Sequence, residues 1–197
     1  MNKTIGITAV ALIGIAIITF VFINYKGDSQ IEGTEQEYIQ GNVALGYFLP
    51  DGWEAQTTEY YEEGDQVGER EPFLSIRKRI DDDSGFFPYA YVWYQYFRNT
   101  GSFDNWYQEH REELIRQYGL PKDEKENSQG TVKSLVIDSE FIVDPMSNST
   151  TTVTYQFTYF DAGASLLELR AEAPVGQFSG LQEEINAMVE NSYLRNE

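Results

Sequence analysis

The sequence predicts an α+β fold carried behind one N-terminal membrane-spanning helix. Three observations predict it. Residues Ile5 to Ile23 form an uncharged apolar run. Several later stretches alternate apolar and polar residues with the period of a strand. Two others repeat apolar residues at three- and four-residue spacing, the period of a helix on a core.

The run IGITAVALIGIAIITFVFI holds 19 residues, with two threonines as its only polar side chains. At about 1.5 Å per residue a helix of that length spans roughly 28 Å, close to the hydrocarbon thickness of a bilayer. A cleavable signal peptide is the competing reading. Its apolar region is shorter and ends at small residues, whereas this run closes on Phe20, Phe22, Ile23 and Tyr25. The expectation is an uncleaved anchor over residues 1–26. Lys3 and the α-amino group lie on the short side, and Lys26 is soon followed by Asp28, Glu32, Glu35 and Glu37. The positive-inside rule then places the N-terminus inside and the domain outside the membrane. The Asn148-Ser149-Thr150 sequon is compatible with that orientation.

Residues 27–41 are polar and read as a flexible stalk, which leaves 42–197 as the folded domain. Val43 to Phe48 is the first strand, stopped by the turn chemistry of Pro50-Asp51-Gly52. Glu54 to Tyr61 can form a second, and Glu62 to Pro72 reads as a charged loop. Phe73 to Ile80 and Phe86 to Phe97 flank Asp81-Asp82-Asp83-Ser84-Gly85 and read as a hairpin. A helix follows from Phe103 to Tyr118, capped by Ser102 or Asp104 and stopped by Gly119 and Pro121. Lys133 to Val143, Thr150 to Phe160 and Ser165 to Ala171 alternate cleanly, which implies an antiparallel sheet with one well-buried face. Ser179-Gly180-Leu181-Gln182 matches a capping box ahead of a last helix with the stripe Leu181, Ile185, Met188 and Val189. The order condenses to βββαβββα, about six strands and two main helices.

The opening strand ends in Phe48-Leu49-Pro50-Asp51-Gly52-Trp53, and the last helix ends in Met188-Val189-Glu190-Asn191-Ser192-Tyr193. Between them lie a β-rich block, a helix and a second β-rich block. Over residues 43–194 this pattern resembles the PsbP-like fold. That group includes an extrinsic subunit of photosystem II, a nuclear-import factor that binds the GTPase Ran, and bacterial envelope lipoproteins. The resemblance implies a non-catalytic binding or assembly role. It implies no site residue, because no ligand-binding motif of the photosynthetic member matches here. The apolar N-terminal run also departs from that member.

Composition excludes several classes. The net charge is −18, and with Lys3 and Lys26 set aside twelve bases face thirty-two acids. Phosphate backbones repel such a surface, so no nucleic-acid partner is expected. The acidity reads as solubility, with recognition of a basic partner as the alternative. There is no cysteine, hence no disulfide, thiolate metal site or Cys nucleophile.

Each candidate for chemistry has an ordinary counterpart. Asp81 to Gly85 offers hard oxygens for Ca²⁺, but position 92 is Val where an EF-hand needs Glu, so a solvated turn is expected. His110 is the one histidine; it sits beside Trp106 and Leu114 on a helix and reads as packed. Glu109, Glu112 and Glu113 alternate with Arg111 and Arg116 as a solvated helix face. Phe87, Tyr89, Tyr91 and Trp93 share one strand face, with Ala90, Val92, Tyr94 and Tyr96 on the other. That strand is either covered on both sides or offers an aromatic platform to a sugar or a protein. No catalytic, cofactor-binding or metal-ligating residue is assigned, and no cofactor is expected. The reading is a single-pass, extracytoplasmic, non-catalytic binding module, with the membrane and a protein or saccharide as partners. The alternative is a hydrolase of cell-envelope material that uses carboxylates.

Overall fold

The computed structural model describes residues 31–40, 43–56, 71–80, 89–98, 101–144 and 149–196. In chain order the elements are β1 (Gly33–Gln40), β2 (Val43–Pro50), β3 (Trp53–Gln56), β4 (Glu71–Arg79), β5 (Tyr89–Arg98), α1 (Phe103–Tyr118), β6 (Asp123–Glu126), β7 (Val132–Asp144), β8 (Ser149–Asp161), β9 (Ser165–Pro174), α2 (Val175–Glu190) and β10 (Tyr193–Asn196). The class is α+β with antiparallel sheets, as the alternation predicts. Seven strands form one sheet in the order β3-β4-β5-β9-β8-β7-β6, and three form a second in the order β1-β2-β10. The large sheet consists of two meanders, β3 to β5 and β6 to β9, joined where β9 pairs with β5.

Both faces of the large sheet carry a buried core, not one. Leu74, Ile76, Val92, Tyr94, Leu167, Leu169 and Ala171 meet Leu45 and Tyr47 of β2 and Phe178, Leu181, Ile185 and Met188 of α2. On the opposite face, Leu135, Ile137, Val153, Tyr155, Phe157, Tyr159 and Leu166 meet Phe103, Tyr107 and Leu114 of α1. The polar row Thr154, Gln156 and Thr158, which alternation alone assigns to solvent, is therefore buried. Two of its groups keep partners: Thr154 Oγ1 donates to Asp138 Oδ1 at 2.6 Å, and Gln182 Nε2 donates to Gln156 Oε1 at 2.8 Å, while Thr158 Oγ1 is buried without one. A strand covered on both sides loses the clean two-state alternation of a half-solvated one.

Several expectations are corrected. Residues 33–40 are not a flexible stalk: β1 pairs with the whole of β2, from Gly33 opposite Pro50 to Gln40 opposite Val43. Its polar composition reflects exposure on a sheet edge and not a lack of structure. The second strand, β3, is described only over four residues. Glu71 and Pro72, read as loop, belong to β4. The capping box at Ser179 lies inside α2, which starts at Val175 directly after β9, with Pro174 at the cap and no side-chain bond there. Phe178 extends the apolar stripe one turn upstream, and its burial outweighs the local capping signal. The same helix ends at Glu190, and Tyr193–Asn196 returns as β10 against β2. β6, with the sequence DEKE, was not anticipated. α1 behaves as predicted: the Ser102 side chain accepts from Asn105 N and Gly119 caps the end at φ 109°.

Among the described residues no helix is long and apolar enough to cross a membrane. Ile5 to Ile23, the Asp81 to Gly85 turn and Asn148 lie outside the described residues.

Candidate functional site

β5 crosses the centre of the large sheet and shows its two faces differently. Ala90, Val92 and Tyr94 are almost fully buried. Tyr89, Tyr91 and Trp93 point to the α1 side and stay partly exposed. On that side α1 covers the β7–β8 half of the sheet through Leu135, Ile137, Val153 and Phe157. The aromatic row belongs to the β4–β5–β9 half.

Register brings charged residues to this row from both neighbours. Arg77 of β4 lies opposite Tyr91. On β9, Arg170 lies opposite Trp93 and Glu172 opposite Tyr91. Tyr89 and Tyr91 sit with ring centroids 6.0 Å apart, and Tyr91 and Trp93 stack at 5.6 Å with planes 19° apart. The Arg77 guanidinium caps Tyr89 at 4.6 Å from its centroid, and that of Arg170 lies over Trp93 at 5.7 Å. The result is a ladder of three rings with an arginine at each end, held by ring–ring and cation–π attraction.

A sugar platform needs a free ring face. Here the faces of Tyr91 and Trp93 are turned on one another, and the Arg77 and Arg170 guanidinium groups lie over Tyr89 and Trp93.

The surrounding charges are engaged. Arg77 pairs with Glu54 at 3.4 Å, and Arg170 Nε lies 3.6 Å from Glu172 Oε2. Burial pushes the Glu172 carboxyl above its ordinary range, while Arg170 and the Trp93 indole N–H pull it back. Tyr155, opposite Glu172 on β8, is pushed up to about 12, chiefly by burial and then by the Glu172 charge. Its phenol keeps its proton at any physiological pH.

The other candidates are held in packing contacts and ion pairs. His110 stacks on Trp106 at 4.8 Å, meets Tyr159 edge-on, and places Nε2 3.5 Å from Glu168 Oε2. It is the packed histidine that its neighbours in sequence suggest. Glu109, Glu112 and Glu113 are exposed, and Glu113 pairs with Arg116. Arg111 holds Glu124 of β6 in a two-point contact, and the bond to that guanidinium keeps the carboxyl below its usual range. Lys133 is buried between Asp104 and Glu126, over the rings of Phe103 and Tyr107, and ties α1 to the sheet. Glu184 accepts from Trp53 Nε1 at 2.6 Å and from Lys78 Nζ at 2.7 Å, which fastens α2 to β3 and β4. Among the described residues no three His, Asp or Glu side chains gather as metal ligands.

The sequence marks the aromatic residues of the ladder but not its arginines or Glu172. Arg77 and Arg170 stand out in sequence only as the polar partners of alternating strands. Arg77 reaches the row through the hairpin of β4 and β5, whereas Arg170 arrives on β9, from a segment far along the chain.

No protein-family profile and no curated protein sequence matches this chain. Solved structures do. The Ran-binding protein Mog1p of Saccharomyces cerevisiae superposes with a TM-score of 0.52 at 13% identity, covering 83% of this chain and 96% of Mog1p. A point variant of Mog1 gives 0.54 at 12% identity, with the same coverage of 83% and 96%. LpqN of Mycobacterium tuberculosis, described as involved in cell envelope biogenesis, gives 0.47 at 15% identity, covering 85% of this chain and 92% of that one. The fold is PsbP-like, as the order of elements suggested. At such identities the likeness speaks to the fold alone.

Proposed function

We propose that this chain is a membrane-tethered, non-catalytic module that displays its α+β domain outside the cytoplasmic membrane and binds a protein through the ladder of Arg77, Tyr89, Tyr91, Trp93 and Arg170. The observation that carries the proposal is the ladder itself. Tyr, Trp and Arg are the residues that dominate protein interfaces energetically. Stacking fixes their rotamers before binding, so little side-chain freedom is lost on contact. Each arginine already faces a carboxylate, Glu54 or Glu172, so the ladder offers aromatic surface in a charge-balanced frame. The tether rests on the 19 apolar residues of the N-terminal run. Binding of Ran by Mog1p agrees with a protein-binding use of this fold but does not name the partner.

The hydrolase reading has one observation in its favour, the raised Glu172 carboxyl. Its natural companion, Glu168, is four residues away on the same strand, about 13 Å along the backbone. Arg170 stands between them, and Glu168 faces His110. Glycoside hydrolysis wants carboxyl groups about 5–9.5 Å apart across an open cleft.

A photo-crosslinking residue at position 91 of the full-length chain, in its own membranes, tests the proposal. A discrete adduct is expected from position 91 and not from the exposed helix position Gln117. Release of fragments from envelope material that disappears in Glu172→Gln, without any adduct, would establish the hydrolase instead.

A further inference from the structure

Two large apolar side chains are exposed on consecutive residues of one strand. Phe141 is 46% and Ile142 57% exposed, both in the outer part of β7. Consecutive strand residues point to opposite faces. Apolar surface therefore lies on both sides of this segment.

The segment stands beyond the body of the sheet. β9 stops pairing with β8 at Val153 opposite Pro174. Past that point β7 and β8 continue alone, with Phe141 opposite Thr151 and Ile142 opposite Thr150. Each strand runs three or more residues further, about 10 Å. A flat protein contact covers one face of such a ribbon, whereas a medium or a slot covers both.

Sequence and topology point to the medium. Nine residues separate Ile23, the end of the apolar run, from Gly33, the first residue of β1. Fully extended they reach about 30 Å. Gly33 pairs with Pro50, a tight turn away from Trp53 at the head of β3. A row of partners crosses the sheet as Glu54, Arg77, Tyr91, Glu172, Tyr155 and Ile137. Trp53 and Phe141 lie on the same side of that row along their strands. Five strand spacings separate β3 from β7, about 24 Å. A linker of this length therefore lets the ribbon reach the bilayer in which the run is embedded.

We infer that the Phe141–Ile142 ribbon inserts into the interface of that bilayer as a second, shallow contact. The inference rests on the tether proposed above. Residues 139–152 carry Glu140 and Asp144 and no Lys or Arg. The lipid it suits is accordingly zwitterionic or neutral and not anionic.

The chain has no native cysteine, so Ile142→Cys takes a single polarity-sensitive fluorophore. Gln117→Cys serves as the solvent-exposed reference. Each labelled full-length chain is reconstituted into phosphatidylcholine vesicles and floated on a density gradient. The expected result is co-flotation, with the label at 142 quenched several-fold more than that at 117 by nitroxide-bearing lipid and shielded from aqueous iodide. Co-flotation with equal iodide quenching at both positions overturns the inserted ribbon and leaves the tether standing. Shielding of position 142 from both quenchers overturns it too, and shows a protein surface, a second copy included, over the ribbon. Failure to float removes the tether and the inference with it.

Discussion

Burial raises the pKa of Glu172, so ionising it in the folded chain costs more than in the unfolded one. A raised acid contributes stability below its unfolded pKa and loses it as pH rises through the folded value. Glu172→Gln should therefore raise the unfolding midpoint at pH 7. The gain should fade as the buffer is taken below the ordinary carboxyl value of 4.5, where the wild-type side chain is neutral as well. Asp138 has the opposite sign. Burial alone would raise it, but Lys122 and Thr154 more than offset that and hold it low. Its contribution is present above an ordinary Asp pKa of 3.8 and is lost as pH falls through the lower folded value. Thermal melts of wild type and both single variants, Glu172→Gln and Asp138→Asn, across pH 3 to 7 separate the two. A carboxyl that costs stability yet clamps Arg170 at the end of the ladder is what a binding surface is expected to retain.

Among the elements, β1 bears most on where the domain begins. A chain starting at Ile31 should melt cooperatively, whereas one starting at Val43 bares the β2 edge and should aggregate or melt several degrees lower. Similar behaviour of the two would return residues 33–40 to the role of a stalk. β2 is equally tight on its β10 side. A Cβ at Gly46 would fall within the ring of Tyr193, so Gly46→Ala should destabilise the domain by about 1–3 kcal/mol in urea unfolding, and Tyr193→Ala should recover part of the loss. These elements also mark what the sequence could convey. α1 is legible because its cap, stripe and glycine stop all lie within the helix. β4, β5, β7, β8 and β9 are legible because their alternation is long. β1, β6 and β10 are short or polar strands whose only reason to be extended is a partner elsewhere in the chain. Thr154, Gln156 and Thr158 read as solvent-facing because nothing nearby announces that α2 will cover them. The ladder was half visible for the same reason: its rings occupy alternate positions of one strand, and its arginines arrive from two others.

In the whole molecule, a seven-stranded sheet is covered by α1 over one half of one face and by α2 with β2 on the other. That leaves a partly exposed area over β4, β5 and β9, where the ladder stands. The ties of Lys133 and Glu184 hold the two helices without drawing on the ladder residues. The most direct measurement is the adduct formed from position 91 in membranes, compared between the wild-type background and the Arg77→Glu, Arg170→Glu double variant. The melting temperature of each chain is recorded alongside. The account predicts an adduct reduced at least about tenfold, the effect of some 1.4 kcal/mol or more of lost binding, in a double variant that still unfolds cooperatively, its melting temperature lowered by the like charges placed beside Glu54 and Glu172. An adduct of undiminished yield in a folded double variant would contradict it.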